Sequence, residues 1–127
     1  MELIAIVTIF LLAQAMYFAI EVGRARGKYS VKAPAISGDV MFERHYRVHQ
    51  NTLEQLVIFL PSLWLFSFFV SQEYAVGLGV VFFIGRFIFR RAYLSDPGGR
   101  ALGFVIGLLS ILACFVGVLV KTVGSLI

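Results

Sequence analysis

The chain has 127 residues, of which 60% are hydrophobic and 14% charged, and it carries a net charge of +4. A soluble domain averages about 45–50% apolar and about 25% charged residues, so a water-solvated globule is excluded. Disorder needs a far more polar chain, and a single cysteine cannot build a disulfide scaffold. The composition fits a bilayer as solvent.

Four apolar runs follow in chain order. The first, residues 3–20, is interrupted only by Gln14 and predicts a helix over about 2–24. Ala13-Gln-Ala15 looks like a leader-cleavage site, but Glu2 stands where a leader carries positive charge, so the segment is expected to stay. Pro34 and Gly38 then mark residues 27–40 as a loop. The second run, residues 53–70, holds Glu54, Gln55 and Pro61, and reaches spanning length only if its helix continues into polar flanks, over about 42–71. Pro61 is expected to kink it, because proline removes a backbone donor; neighbouring helices can satisfy the freed carbonyl. Ser71-Gln-Glu-Tyr74 is a short polar turn, and Trp64 lies too deep in the second helix for an interfacial belt, which assigns it to packing. The third run, residues 75–89, is interrupted by Arg86 and predicts a helix over about 74–95. Ser95-Asp-Pro-Gly-Gly99 breaks the chain before the cleanest run, residues 101–120, which carries no charge and predicts a helix over about 98–124. Strict alternation is absent, which excludes barrel strands. The reading is an all-α integral membrane protein, a single domain over 1–127 built as a bundle of four transmembrane helices.

The charges are strongly clustered. Arg24, Arg26, Lys28, Lys32, Arg44 and Arg47 surround the first loop, Arg86, Arg90, Arg91 and Arg100 surround the third, and only Lys121 lies elsewhere. With four spans these loops share one side, which the positive-inside rule makes cytoplasmic, with both termini opposite. Arg24, Arg26, Lys28 and Lys32 read first as side chains snorkelling to headgroups. The basic balance does not point to nucleic acid, because these residues flank membrane spans.

Two polar faces need a further account. Arg44, Arg47, Asn51 and Glu54 fall within an arc of about 80° on the second helix; Arg86, Arg90 and Tyr93 share a face of the third. Charges inside a bilayer turn towards the bundle interior or a wet cavity. Arginine binds carboxylates and phosphates through planar paired bonds, so a cavity between these faces suits an anionic ligand, and Glu54 suits an ammonium group. The plainer alternative has Glu54 neutralising Arg47 as a structural pair, and Arg44 pairing with Glu43 or Asp39. His45 and His49 lie four apart but have no third ligand, so no metal site is expected. Cys114 lies in the most apolar helix as an inert thiol. Gly103-Phe-Val-Ile-Gly107 reads as a helix-packing motif.

Phe42-Glu-Arg-His-Tyr-Arg-Val-His-Gln-Asn-Thr-Leu-Glu54 resembles the signature of the MAPEG family, membrane-associated proteins in eicosanoid and glutathione metabolism, which runs approximately F-E-R-x-x-R-A-x-x-N-x-x-E. Gly85-Arg86, Ala92-Tyr93 and Arg100 resemble its second motif, and the resemblance covers nearly the whole chain. It implies a homotrimer that binds glutathione in cytoplasm-facing clefts between subunits, with a lipophilic electrophile delivered from the membrane lipid. It implies that Arg47, Asn51 and Glu54 hold the peptide, with Arg26, Arg86, Arg90 and Tyr93 as further contacts from the same or the adjacent subunit. Arg100 matches the arginine that activates the thiol in the leukotriene-synthase branch. Phe89, Gln55 and Gly27 depart from that branch, which carries two tyrosines and an arginine there. The non-catalytic lipid-binding branch usually lacks the glutamate and the late arginine, so Glu54 and Arg100 favour a glutathione-dependent transferase or peroxidase over a lipid-binding scaffold. A small four-helix transporter using Glu21 or Glu54 is the remaining alternative, and the clustered arginines disfavour it.

Overall fold

The computed structural model describes all residues from Met1 to Ile127. It contains four long helices, α1 (Glu2–Tyr29), α2 (Val40–Phe69), α3 (Gln72–Ser95) and α4 (Ala101–Leu126), with a short 3-10 turn at Pro97–Gly99 before α4. There are no strands. The protein is an all-helical membrane bundle. Three segments, Glu2–Tyr29, Val40–Phe69 and Pro97–Leu126, are long and apolar enough to cross a membrane by length and composition alone. The remaining helix, α3, has 24 residues, roughly 36 Å at 1.5 Å per residue, and its apolar stretch is interrupted by an arginine buried inside the bundle.

The helix ends differ from the sequence expectation for local reasons. α1 runs on to Tyr29, through Arg24, Arg26 and Lys28, because these straight-chain residues are good helix formers and polarity alone does not stop a helix. It ends where Ser30 takes a left-handed conformation (φ 57°) and the Val31 N–H donates to the Arg26 carbonyl at 3.0 Å. α2 begins earlier than expected, because the Asp39 carboxylate accepts the Phe42 N–H at 2.9 Å. Ser71 ends the α2–α3 turn by accepting the Tyr74 N–H at 3.2 Å, so α3 also starts early. α2 passes through Pro61 as one helix, and the neighbouring Ser62 hydroxyl donates to the Ile58 and Phe59 carbonyls.

α2 and α3 form the central pair, with α1 and α4 each packed against both. The core joins Leu11 of α1, Phe59 and Leu63 of α2, Phe82 of α3, and Ile111 and Cys114 of α4; Phe59 and Phe82 stack 4.1 Å apart, nearly parallel at 9°. Trp64 links α2 to α1, its indole N–H donating to the Thr8 hydroxyl at 2.9 Å. Outward-facing positions are largely apolar, including Ile9, Phe68, Leu109 and Val116, as a lipid-facing surface requires.

The α3–α4 seam brings helix backbone against helix backbone. A Cβ on Gly103 would lie 2.6 Å from the Phe89 Cα, and one on Gly85 would lie 2.7 Å from Ile106 Cγ2. Gly107, the second glycine of the motif, is less constrained: its Cβ would meet Phe82 at an ordinary 3.5 Å. Gly103→Ala must therefore push α4 away from the α3 backbone and is expected to cost about 1–3 kcal/mol. Gly107→Ala is expected to be neutral or to stabilise by up to about 1 kcal/mol, since its Cβ meets only ordinary contact and alanine is favoured over glycine inside a helix. Thermal unfolding of the two variants in detergent checks this; equal midpoints would contradict the close seam.

Candidate functional site

One end of the bundle is assembled by the loop between α3 and α4. Arg44 of α2 does not pair with Glu43 or Asp39. Its Nη1 reaches across to donate to the carbonyls of Leu94 (2.9 Å) and Ser95 (3.2 Å) at the end of α3. These are carbonyls that a helix end leaves unpaired, and a cation there also opposes the negative end of the helix dipole. Asp39 is occupied as the α2 cap, and Glu43 accepts from the Gly38 N–H at 3.4 Å. Beyond Ser95, Asp96 accepts the Gly98 N–H at 3.1 Å, and Arg100 Nη1 donates to the Pro97 carbonyl at 2.8 Å. This turn brings Arg100 and the start of α4 back over α2.

The result is a cavity of about 600 Å³, within the usual range of small-molecule sites. Arg47, Asn51 and Glu54 of α2 form one wall, Phe89 and Tyr93 of α3 another, and Arg100, just before α4, closes it with Ala101 and Phe104 of α4. Phe89 and Tyr93 stack at 5.5 Å, so an aromatic surface faces the charged one. Arg47 and Glu54 make no hydrogen bond or ion pair. The chain has two ion pairs, the N-terminus with Glu2 and Arg90 with Glu21, and neither touches the cavity. The structural pairing of Arg47 with Glu54 is thereby corrected: both charges remain free for a ligand. α4 adds a further positive element, because its cap residue Arg100 makes no side-chain capping bond and the first N–H groups of a helix lack internal partners.

Five of the eight sequence-predicted site residues, Arg47, Asn51, Glu54, Tyr93 and Arg100, line this cavity. The other three are engaged elsewhere within the chain. Arg86 is fully buried behind the wall, bonded to Asn51 and Thr52. Arg90 points to α1, where its Nε donates to Glu21 Oε1 at 2.7 Å and its Nη2 to Glu21 Oε2. Arg26 donates to the Ala35 carbonyl at 2.7 Å and sits over the Phe42 ring, which pins the first loop. The Arg90–Glu21 pair also occupies one of the two carboxylates on which the transporter reading depended. A charge at the centre of a membrane helix costs about 2.5–3.5 kcal/mol on insertion scales, which the Glu21 partner offsets for Arg90. Arg86 has no such partner.

Sequence reasoning did not single out Phe104 or Thr52. Phe104 lies one helical turn after Arg100, so the same face of α4 carries both. Thr52 adjoins Asn51, but its role depends on where Arg86 points, and helical spacing contains no such information.

A family model described as the MAPEG family matches residues 4–120. An uncharacterised protein of Synechocystis sp. is 42% identical over 111 residues, 87% of this chain and 81% of that protein. Microsomal glutathione S-transferase 2 of Homo sapiens is 39% identical over 106 residues, covering 84% of this chain and 72% of its own length. The protein of the same name from Bos taurus is 36% identical over 122 residues, covering 92% and 83%.

Proposed function

The chain belongs to the MAPEG family, and on that premise we propose that it is a membrane-bound, glutathione-dependent transferase or peroxidase acting on lipophilic electrophiles. The observation that carries this reading is the pair of unpaired opposite charges, Arg47 and Glu54, sharing one cavity with Arg100. Relatives named glutathione S-transferase support it.

Glutathione has two carboxylates, an ammonium and a thiol, and the donor set fits each. Arg47 offers a planar fork to a carboxylate, Glu54 accepts an ammonium, and Asn51 and Tyr93 add neutral hydrogen bonds. Arg100, with the start of α4, stabilises a thiolate, the reactive form of the thiol. The aromatic surface of Phe89, Tyr93 and Phe104 suits an apolar electrophile reaching the cavity from the bilayer. The thiolate attacks the electrophilic atom, forming a carbon–sulfur bond as the leaving group departs; with a hydroperoxide it attacks the terminal oxygen, breaking the O–O bond to release the alcohol and leave a sulfenic acid, which a second glutathione converts to the disulfide with loss of water.

In this reading the first and third loops face the cytoplasm, and the protein works as a homotrimer. Arg26 and Arg90, which lie away from the cavity within one chain, would serve a neighbouring subunit's cleft. Calorimetric titration of the detergent-solubilised protein with glutathione tests the proposal. Saturable binding at micromolar to millimolar concentration is expected, and no heat at millimolar glutathione would overturn it.

A further inference from the structure

We infer that Arg86 is a positioning residue, which sets the Asn51 amide so that the cavity meets a donor and never an acceptor; the inference rests on the proposed glutathione site. Arg86 is buried to 0% exposure and does not line the cavity. Its Nη2 donates to Asn51 Oδ1 at 2.8 Å and to Thr52 Oγ1 at 2.9 Å, and its Nε donates to the same hydroxyl at 3.3 Å. Thr52 in turn donates to the Val48 carbonyl at 2.8 Å, so the hydroxyl proton is committed and the oxygen is left to accept from the guanidinium.

The polarity of this chain of bonds is forced. Arginine has five N–H donors and no acceptor, so whichever end of the Asn51 amide faces it must be the oxygen. The amide nitrogen is then the end left over. Nδ2 has no partner within the chain, while Asn51 forms part of the cavity wall. The matching group on a ligand must be a hydrogen-bond acceptor, a carboxylate or carbonyl oxygen of the peptide. Arg86 holds the opposite wall as well: its guanidinium lies 4.2 Å from the centre of the Phe89 ring, which stacks on Tyr93.

A purely structural role is a poor account of this arginine. It has no carboxylate partner, and its Nη1 is buried with no hydrogen-bond partner at all. An apolar side chain would fill the same space without stranding a donor, and buried charges without a partner are costly. What an apolar residue could not do is fix the direction of the Asn51 amide.

Asn51 is the only asparagine in the chain, so labelling asparagine with ¹⁵N gives a single side-chain amide pair to follow by NMR in micelles. We expect one resolved pair in the wild type, displaced in Arg86→Gln and displaced also in Arg86→Lys, which keeps the charge but loses the fork. Arg86→Lys gives the same reading if Arg86→Gln does not fold. Calorimetry should show glutathione affinity falling about tenfold in Arg86→Lys and in Asn51→Ala, as for a lost hydrogen bond, with no further loss when the two are combined. An amide pair unchanged by both Arg86 substitutions would overturn the inference, as would a full additional loss from Arg86→Lys in the Asn51→Ala background. If the pair moves but the wild type binds no glutathione, the proposed activity fails while the setting of Asn51 by Arg86 stands.

Discussion

Arg100→Ala is expected to remove most of the glutathione thiolate bound at neutral pH. Arg100 is exposed, caps the start of α4, and lines the cavity with Ala101. A cation within about 4–6 Å of an ionising group shifts its pKa by about 1–3 units towards the charged form. A free thiol titrates near 8.5; a shift of about two units brings it below neutrality, so most of the bound thiol is ionised at pH 7. Without Arg100 the thiol returns towards its ordinary value, and the thiolate fraction at pH 7 falls roughly 25-fold. The sign is definite: the cation favours the deprotonated form, so the proportional loss grows as pH falls below neutrality and disappears as pH rises through the unperturbed thiol pKa. Turnover falls less than the thiolate does, because a more basic thiolate is intrinsically more nucleophilic, with a Brønsted slope of about 0.4–0.5. The ultraviolet absorbance of bound thiolate, followed from pH 6 to 10 in wild type and variant, measures the shift directly. Superimposable curves would remove Arg100 from thiol activation and leave the start of α4 as the remaining positive element.

The α2 wall of the cavity was legible because it depends on one helix. Arg47, Asn51 and Glu54 are separated by one and two turns, and helical periodicity puts them on one face whatever else the chain does. The same reasoning grouped Arg86, Arg90 and Tyr93, and there it failed to distinguish their surroundings. That face of α3 lies between neighbours, so the three side chains go to three places: Arg86 to Asn51 and Thr52, Arg90 to Glu21 on α1, and Tyr93 to the cavity. Spacing reports which residues share a face and is silent on which neighbour each one meets. Arg44 illustrates the same limit. Its sequence neighbours Glu43 and Asp39 offered nearby carboxylates, but its partners are backbone carbonyls fifty residues away, which only the packing of α3 against α2 brings within reach. The C-terminal end of α1 lies beyond the expected boundary for a different reason: the charges of Arg24, Arg26 and Lys28 suggest a loop, while their backbones favour helix. The all-helical membrane class, by contrast, followed from composition, since hydrocarbon leaves a backbone few other ways to satisfy its hydrogen bonds.

Glu54→Gln and Arg47→Ala are expected to weaken glutathione binding by about 10- to 150-fold each, and to do so through different parts of the ligand. Hydrogen bonds to charged groups contribute about 1.5–3 kcal/mol, and 1.4 kcal/mol is a factor of ten in affinity. Because neither side chain pairs with another group in the chain, removing one does not strand the other, and the measured loss reports the contact with the ligand. The two losses can be separated by altering the ligand. A glutathione analogue lacking the γ-glutamyl ammonium should bind wild type about as weakly as glutathione binds Glu54→Gln, and the Glu54→Gln substitution should then cost nothing more. Arg47→Ala should still weaken that analogue by its full factor, since its carboxylates are intact. Raising the salt concentration should shrink both effects, because Arg47 and Glu54 are exposed and exposed charges are screened over about 8 Å at physiological ionic strength. If Glu54→Gln instead restores the affinity lost in Arg47→Ala, the two residues interact with each other more strongly than with the ligand. The ammonium and carboxylate assignments would then be wrong even if glutathione binds.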